Sequence, residues 1–225
     1  MESGARVSRN IVVIGVSQGI GRGLAEEHLR RGWTVTGTVR TTPPDRVAGN
    51  FAIEMLDTTD EDGLQTVMER LPDGIDRLIV SAGIAGPAGP VGEVTAGDFL
   101  RTLEVNTLAP LRIIDRVAAH VTPRGMLVVL SSSQGSIALN DDAHHETYRI
   151  SKAGLNMGLK SVAVRRDDDR TYVAMNPGWV RTEIGTERAL LSVAESVPAV
   201  TDVLDALDGT AGIHFVDYQG DRLPW

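Results

Sequence analysis

The chain has 225 residues, of which 42% are apolar and 23% charged, with a formal net charge of −8. This length suits one domain whose core is large enough to fold unaided, and the balance excludes a disordered chain. There is no cysteine, which excludes a disulfide scaffold, a thiolate metal site and a cysteine nucleophile.

The first apolar run, over 10–16, reads as a strand that leads into a glycine turn and a helix over 20–31. Further strand-like runs lie at 33–39, 51–56, 77–81, 126–130 and 171–175. Each is short, apolar without strict alternation and rich in Val, Ile or Thr, the pattern of strands buried on both faces. Helical patterns fall between them at 61–70, 98–120 and 148–165, the second carried by Leu100, Leu103, Leu108, Leu111 and Ile114. The segment 183–198 is expected to form one or two helices over the carboxyl edge of the sheet, and 212–216 a last strand. Regular strand–helix alternation predicts an α/β fold: one domain over 1–225, with a doubly wound parallel sheet and helices on both faces. In such a sheet ligands bind at the strands' carboxyl ends.

Gly15, Gly19 and Gly21 stand where a strand turns into a helix. A pyrophosphate needs bare backbone N–H groups beside a helix N-terminus, so this spacing points to a Rossmann-type dinucleotide site. The second strand ends at Arg40. An acid there would suit a free 2′-hydroxyl, whereas arginine suits a 2′-phosphate, so NADP(H) is expected in preference to NAD(H). Tyr148 and Lys152 lie four residues apart, on one face of the predicted helix. With only two lysines and three tyrosines in the chain, chance pairing at this spacing is rare. A phenol titrates near ~10. A neighbouring ammonium is expected to lower that value and make the phenol a proton carrier for a carbonyl oxygen. Upstream, Ser131, Ser132 and Ser133 end a strand and offer hydroxyls beside the tyrosine.

Taken together, these segments resemble the short-chain dehydrogenase/reductase family over nearly the whole chain. The likeness is carried by GVSQGIG at 15–21, LDTTD at 56–60, SAG at 81–83, EVNTLAP at 104–110, LSSSQGSI at 130–137, YRISK at 148–152 and NPGWVRT at 176–182. It is greatest to a small branch of C-factor-like and carbonyl-reductase-like proteins. The resemblance implies Tyr148 as acid/base, Lys152 as its partner and ribose ligand, and Asn106 as the holder of a proton-relay water. It implies Ser132 as the hydroxyl that binds the substrate oxygen, with Ser133 as the alternative. Around the cofactor it implies Gly15, Ser17, Gly19, Ile20, Gly21, Arg40, Asp57, Ser81, Ala82, Gly83, Pro177, Gly178, Val180 and Thr182. Ser133, Gln134 and Trp179 are implied near the substrate. Two positions depart from the family pattern: Ile14 replaces its usual threonine and Ser81 its usual asparagine.

The implied activity is NADPH-dependent reduction of a ketone or aldehyde to an alcohol. Two alternatives stay open. One is an NADP(H)-binding regulatory or signalling protein with little turnover, and the other a lyase or isomerase on the same scaffold. The resemblance also implies a homodimer or homotetramer. No metal site is expected: His144 and His145 read as solvated residues of an insert at 140–146, and Asp167, Asp168 and Asp169 as a solvated connection. The acidic balance, without a basic cluster, argues against a nucleic-acid partner. No run is long enough to span a bilayer, and the first ten residues lack the apolar stretch of a secretory leader. A cytoplasmic protein with no membrane partner is therefore expected.

Overall fold

A computed structural model describes residues 9–41, 49–142 and 144–225. Residues 1–8, most of the stretch read above for a leader, lie outside that description, as does Ala143 of the insert. Seven parallel strands form one sheet in the order β3-β2-β1-β4-β5-β6-β7. They are β1 (Asn10–Ile14), β2 (Thr34–Val39), β3 (Phe51–Met55), β4 (Ile75–Val80), β5 (Val121–Leu130), β6 (Thr171–Asn176) and β7 (Gly212–Asp217). The helices are α1 (Gly19–Arg30), α2 (Glu61–Met68), α3 (Ala96–Leu103), α4 (Ala109–Val117), α5 (Glu146–Arg166) and α6 (Val193–Ala206).

The continuous apolar runs divide between two cores, because successive side chains on a strand point to opposite faces. Val12, Ile14, Leu78, Val80, Leu127 and Val129 face one core, closed by Leu64 of α2, Ile113 of α4 and Leu155 and Leu159 of α5. Ile11, Val13, Ile79, Met126 and Val128 face the other, closed by Leu24 of α1 and Val197, Val200 and Leu204 of α6. Both faces of the central strands are thus dry, which removes the alternation a one-sided sheet would show. On the second face, α1 and α6 approach closely at Gly23. A Cβ there would lie 2.8 Å from Val193 Cγ1 and 2.9 Å from Val197 Cγ2.

Two predicted elements are corrected. The single helix over 98–120 is α3 and α4 joined by a wide turn of π-helix at Glu104–Leu108, in which the Ala109 N–H bonds the Glu104 carbonyl. Pro110 supplies a cause. It has no N–H to return to the Asn106 carbonyl, and in an unbroken α-helix its ring would clash with that carbonyl. The segment 183–198 is helical only from Val193, where Ser192 and Glu195 form a capping box, and that helix continues to Ala206. Before it the chain is extended and bent. Val180 bridges Leu191, and the Thr186 backbone is left-handed at φ 61°. Arg181 N–H donates to the Leu191 carbonyl at 2.8 Å, and Leu191 N–H to the Trp179 carbonyl at 3.0 Å. These cross-bonds occupy backbone groups that a helix would need. The loop's two roots are tied together, since the buried Ser196 hydroxyl donates to the Pro177 carbonyl at 2.7 Å.

Candidate active site

At the carboxyl end of β1 the chain turns at Gly15 (φ 92°) and Gly19 (φ 60°), conformations that favour glycine. A Cβ on Gly21 would collide with the Gly15 carbonyl oxygen, and one on Gly15 would sit 3.1 Å from Ala82 N. The turn is therefore bare by necessity. The first turn of α1 has no side-chain cap and no acidic residue. Its orphan N–H groups and positive dipole end are available to an anion, so these residues fit a dinucleotide pyrophosphate. Thr38 on β2 steadies the turn by accepting from Gly15 N–H at 3.1 Å.

The strands beside this turn deliver the other predicted residues to the same edge. Ser81, Ala82 and Gly83 follow β4, and Ser81 N–H bonds the Ile14 carbonyl at 2.9 Å. The exposed Arg40 follows directly on β2, which ends at Val39. Its charge, with that of Arg101, adds to the effect of hydrogen bonds from Thr59, which chiefly hold the Asp57 carboxyl below its usual range. After β6, Thr182 abuts the glycine turn: a Cβ on Gly19 would lie 3.3 Å from Thr182 Cγ2. Thr182 Oγ1 also accepts from Gly185 N–H at 3.2 Å. Val180 is buried, so its side chain packs inward. Ser17 is exposed, and Ile20 lies half-buried against the α1–α6 core.

Helix α5 and the end of β5 carry the acid–base group. Lys152 is buried, and its ammonium donates to the Leu130 carbonyl at 2.8 Å. Its Nζ lies 5.6 Å from the centre of the Tyr148 ring. The Tyr148 side chain hydrogen-bonds Ser132. Ser132 also accepts from Gln134 N–H at 3.1 Å, which opens the turn Ser133–Gly135. Ser131 is otherwise engaged, donating to Asn156 Oδ1 at 2.6 Å. Asn106 is fully buried in the wide turn. Its Oδ1 accepts from Ile84 N–H at 2.9 Å, and its Nδ2 donates to the Ile84 carbonyl at 2.8 Å and to Ser151 Oγ at 3.0 Å. These bonds fix Asn106 beside Gly83, where a Cβ would stand 3.3 Å from Asn106 Oδ1 and 3.8 Å from Lys152 Nζ.

The expected direction of the tyrosine shift is corrected. Burial pushes the Tyr148 phenol up to about 12, against a smaller opposite pull from its hydrogen bond to Ser132. Burial likewise lowers Lys152 to about 8. Removal from water penalises the charged form of each, and that penalty sets the direction of both shifts.

Several supporting residues escaped the sequence reading. Asn156 also donates to the Gly135 carbonyl at 3.2 Å, tying the serine turn to α5. Its spacing of four from Lys152 and eight from Tyr148 could have marked it. Pro110 could likewise have marked the wide turn at Asn106. Gln18 Nε2 donates to Glu183 Oε2 at 2.6 Å, linking the glycine turn to the 177–192 loop. No local pattern announces that pairing.

The doubly wound sheet with a bare glycine turn and a Tyr–Lys–Ser–Asn group beside it defines a nucleotide-binding oxidoreductase scaffold, and the comparisons specify which. A family model described as enoyl-(acyl carrier protein) reductase matches residues 15–200. The chain is 35% identical to the C-signal of Myxococcus xanthus over 154 residues, which is 67% of this chain and 93% of that protein. It also resembles a Burkholderia multivorans protein described as a short-chain dehydrogenase/reductase, solved with bound NADP. That match has 39% identity and a TM-score of 0.92, covering 97% of this chain and 100% of the other. A carbonyl reductase from Pseudomonas aeruginosa PAO1, in complex with NADP, matches at 33% identity and a TM-score of 0.87, with the same coverage. The chain belongs to the short-chain dehydrogenase/reductase family of oxidoreductases.

Proposed function

We propose that this protein is an NADPH-dependent carbonyl reductase that converts a ketone or aldehyde to an alcohol. The observation that carries this reading is the meeting of Tyr148, Ser132, Lys152 and Asn106 at the sheet edge that also holds the glycine turn. When bound, the reduced nicotinamide supplies a hydride to the carbonyl carbon. Gly15, Ser17, Gly19, Ile20 and Gly21 would hold its pyrophosphate, and Asp57 and Ser81–Gly83 its adenosine side. Pro177, Gly178, Val180 and Thr182 would line the nicotinamide side. Arg40, exposed at the end of β2, favours the 2′-phosphate of NADP(H) over the free hydroxyl of NAD(H).

Tyr148 gives its proton to the substrate oxygen as the alkoxide develops, and Ser132 hydrogen-bonds the same oxygen. Reduction needs the phenol protonated. A hydroxyl titrating near 12 keeps its proton throughout the neutral range. Lys152 is positioned to hold ribose hydroxyls, and Asn106 to hold the water through which the proton is replaced. Ser133, Gln134 and Trp179 lie on the substrate side. The test is NADPH consumption, followed by absorbance, across a panel of ketones and aldehydes with the wild-type protein and Tyr148→Phe. Steady wild-type consumption that the substitution abolishes supports the proposal; undiminished reduction by Tyr148→Phe overturns it.

The similarity to the C-signal favours a second reading, an NADP(H)-binding regulator with little turnover. Tight NADPH binding without consumption on any carbonyl compound would select it. An exposed stripe on α5, made by Ile150, Met157 and Val164, with exposed Leu100 and Leu108 on the two elements packed against α5, supports assembly as a homodimer or homotetramer.

A further inference from the structure

The carboxyl edge of a parallel sheet is lined by the loops that follow its strands. Here three of them, 81–95 after β4, 131–145 after β5 and 177–192 after β6, adjoin the Tyr148 group. The Ser133–Gly135 turn packs on α5, where a Cβ on Gly135 would meet the Lys152 backbone at 2.9 Å. Val91 N–H donates to Glu146 Oε2 at 2.8 Å, which ties the first loop to the helix turn just before Tyr148. These loops hold six large apolar side chains that remain in water: Val91, Ile137, Leu139, Trp179, Ile184 and Leu190. Ile137 is 77% and Leu190 78% exposed. Scattered exposed apolar residues need no explanation, but this set is gathered on the loops around one site. The Trp179 ring is also held in place, its Nε1 donating to the Gly185 carbonyl at 2.7 Å.

Charge gives the second observation. The loops and the start of α5 through Arg149 carry six carboxylates (Glu93, Asp141, Asp142, Glu146, Glu183 and Glu187) against three arginines. Two of those arginines have fixed partners, as do Asp142, Glu146 and Glu183 among the six carboxylates, so the balance over the three arginines stays net negative. Arg149 pairs with Asp142 at 3.2 Å, and Arg181 donates to the Ala189 and Leu190 carbonyls at 3.0 and 3.1 Å. An anionic carrier entering this rim would meet net repulsion, which acts over about a Debye length of ~8 Å at physiological salt. Arg40 follows β2, on the adenosine side of the sheet, with β1 between it and the nearest of these loops and β1, β4 and β5 between it and the farthest.

We infer that the substrates are neutral, apolar carbonyl compounds and not acyl thioesters borne on an anionic carrier such as coenzyme A or an acidic carrier protein. This inference rests on the reductase reading and narrows it. It also separates this chain from the acyl-carrier substrate for which the matching family model is named.

The experiment compares one ketone on two carriers: acetoacetyl-coenzyme A and the neutral N-acetylcysteamine thioester of acetoacetate. A neutral aryl alkyl ketone is run in parallel, with NADPH consumption as the readout. The expected result is a kcat/KM at least about tenfold higher for the neutral thioester than for the coenzyme A form, with the aryl ketone higher still. The preference should narrow severalfold in high salt, and again in an Asp141→Asn, Glu187→Gln double variant. Equal or better turnover of the coenzyme A thioester overturns the inference and leaves the reductase reading standing. A preference indifferent to both salt and the double variant overturns its electrostatic basis. Absence of consumption on every carbonyl compound overturns both.

Discussion

The two ends of the sheet treat buried charge in opposite ways. At the amino end, Arg77 on β4 is fully buried, and its two terminal nitrogens are paired although its Nε is not, among the described residues. It meets His28 Nε2 at 3.0 Å, Asp205 at 3.0 Å and Asp208 at 2.7 Å, and lies 4.9 Å from the Trp33 ring centre. Arg31 adds Glu27 at 2.8 Å, Asp202 at 2.7 Å and Asp205 at 2.8 Å. At the carboxyl end, Lys152 is buried beside a neutral phenol, and burial weakens its hold on its proton. A charge surrounded by counter-charges fastens elements together. A charge held beside a bare crevice is poised for a partner that arrives later. The amino end is thus built for stability and the carboxyl end for chemistry.

Substitutions can break or sharpen that contrast. The largest effect is expected at the carboxyl end. Tyr148→Phe should lower carbonyl reduction by about 10²–10⁴-fold, the range of general acid catalysis, while thermal unfolding stays within ~2 °C of wild type. Steady-state kinetics and calorimetry together decide this, and a large drop in melting temperature would assign the tyrosine to structure. At the amino end, Arg77→Leu should cost about 3 kcal/mol, seen as a fall of about 6–12 °C in Tm, because it leaves buried His28 Nε2 without a partner and Asp205 and Asp208 with only Arg31 and Arg9. Its turnover per folded molecule should be preserved.

Next comes an acid effect confined to the amino end. Burial and the Arg77 charge lower His28 to about 4, against the opposing help of the Leu24 carbonyl and Asp205. Its Nδ1 donates to that carbonyl at 2.7 Å, leaving Nε2 to accept from Arg77. Between pH 6.5 and 4 the unfolded chain takes up a proton on His28 that the folded chain refuses. Stability therefore falls as pH falls through that window, by on the order of 3 kcal/mol. Glu27, lowered to about 2 chiefly by its hydrogen bond with Arg30, adds its loss only below its ordinary value of 4.5. Urea unfolding at stepped pH should show the upper loss in the wild type and not in His28→Gln. The smallest effect is on cofactor choice. Arg40→Asp should lower the NADPH over NADH preference by about tenfold, read as the ratio of kcat/KM values, without moving Tm.

The sheet was legible because the central strands hold unbroken apolar stretches (11–14, 78–80, 126–130 and 172–175), and only a strand with helices on both faces keeps all of those side chains dry. The Tyr148–Lys152 pair was legible because helical spacing is local. What sequence did not reveal depends on distant partners. Arg77 reads as a strand boundary, yet it lies inside β4, which begins at Ile75. His28, Asp205 and Asp208 make its burial possible, and they lie 49, 128 and 131 residues away. The direction of the Tyr148 shift depended on burial, which no four-residue spacing encodes. The 183–192 stretch misled because the Val180–Leu191 pairing that holds it extended joins positions eleven apart, beyond any local pattern.

The bond between Ser196 and the Pro177 carbonyl has a consequence for engineering. A segment that leaves and re-enters a scaffold at nearly one point behaves as a cassette: its length can change at modest entropic cost without shifting the register of any strand. The stretch between Glu183 and Ser192 is therefore the natural graft site for retuning which molecules this protein accepts, leaving Val180 and Thr182 beside the dinucleotide crevice, and the proton donor, as they are.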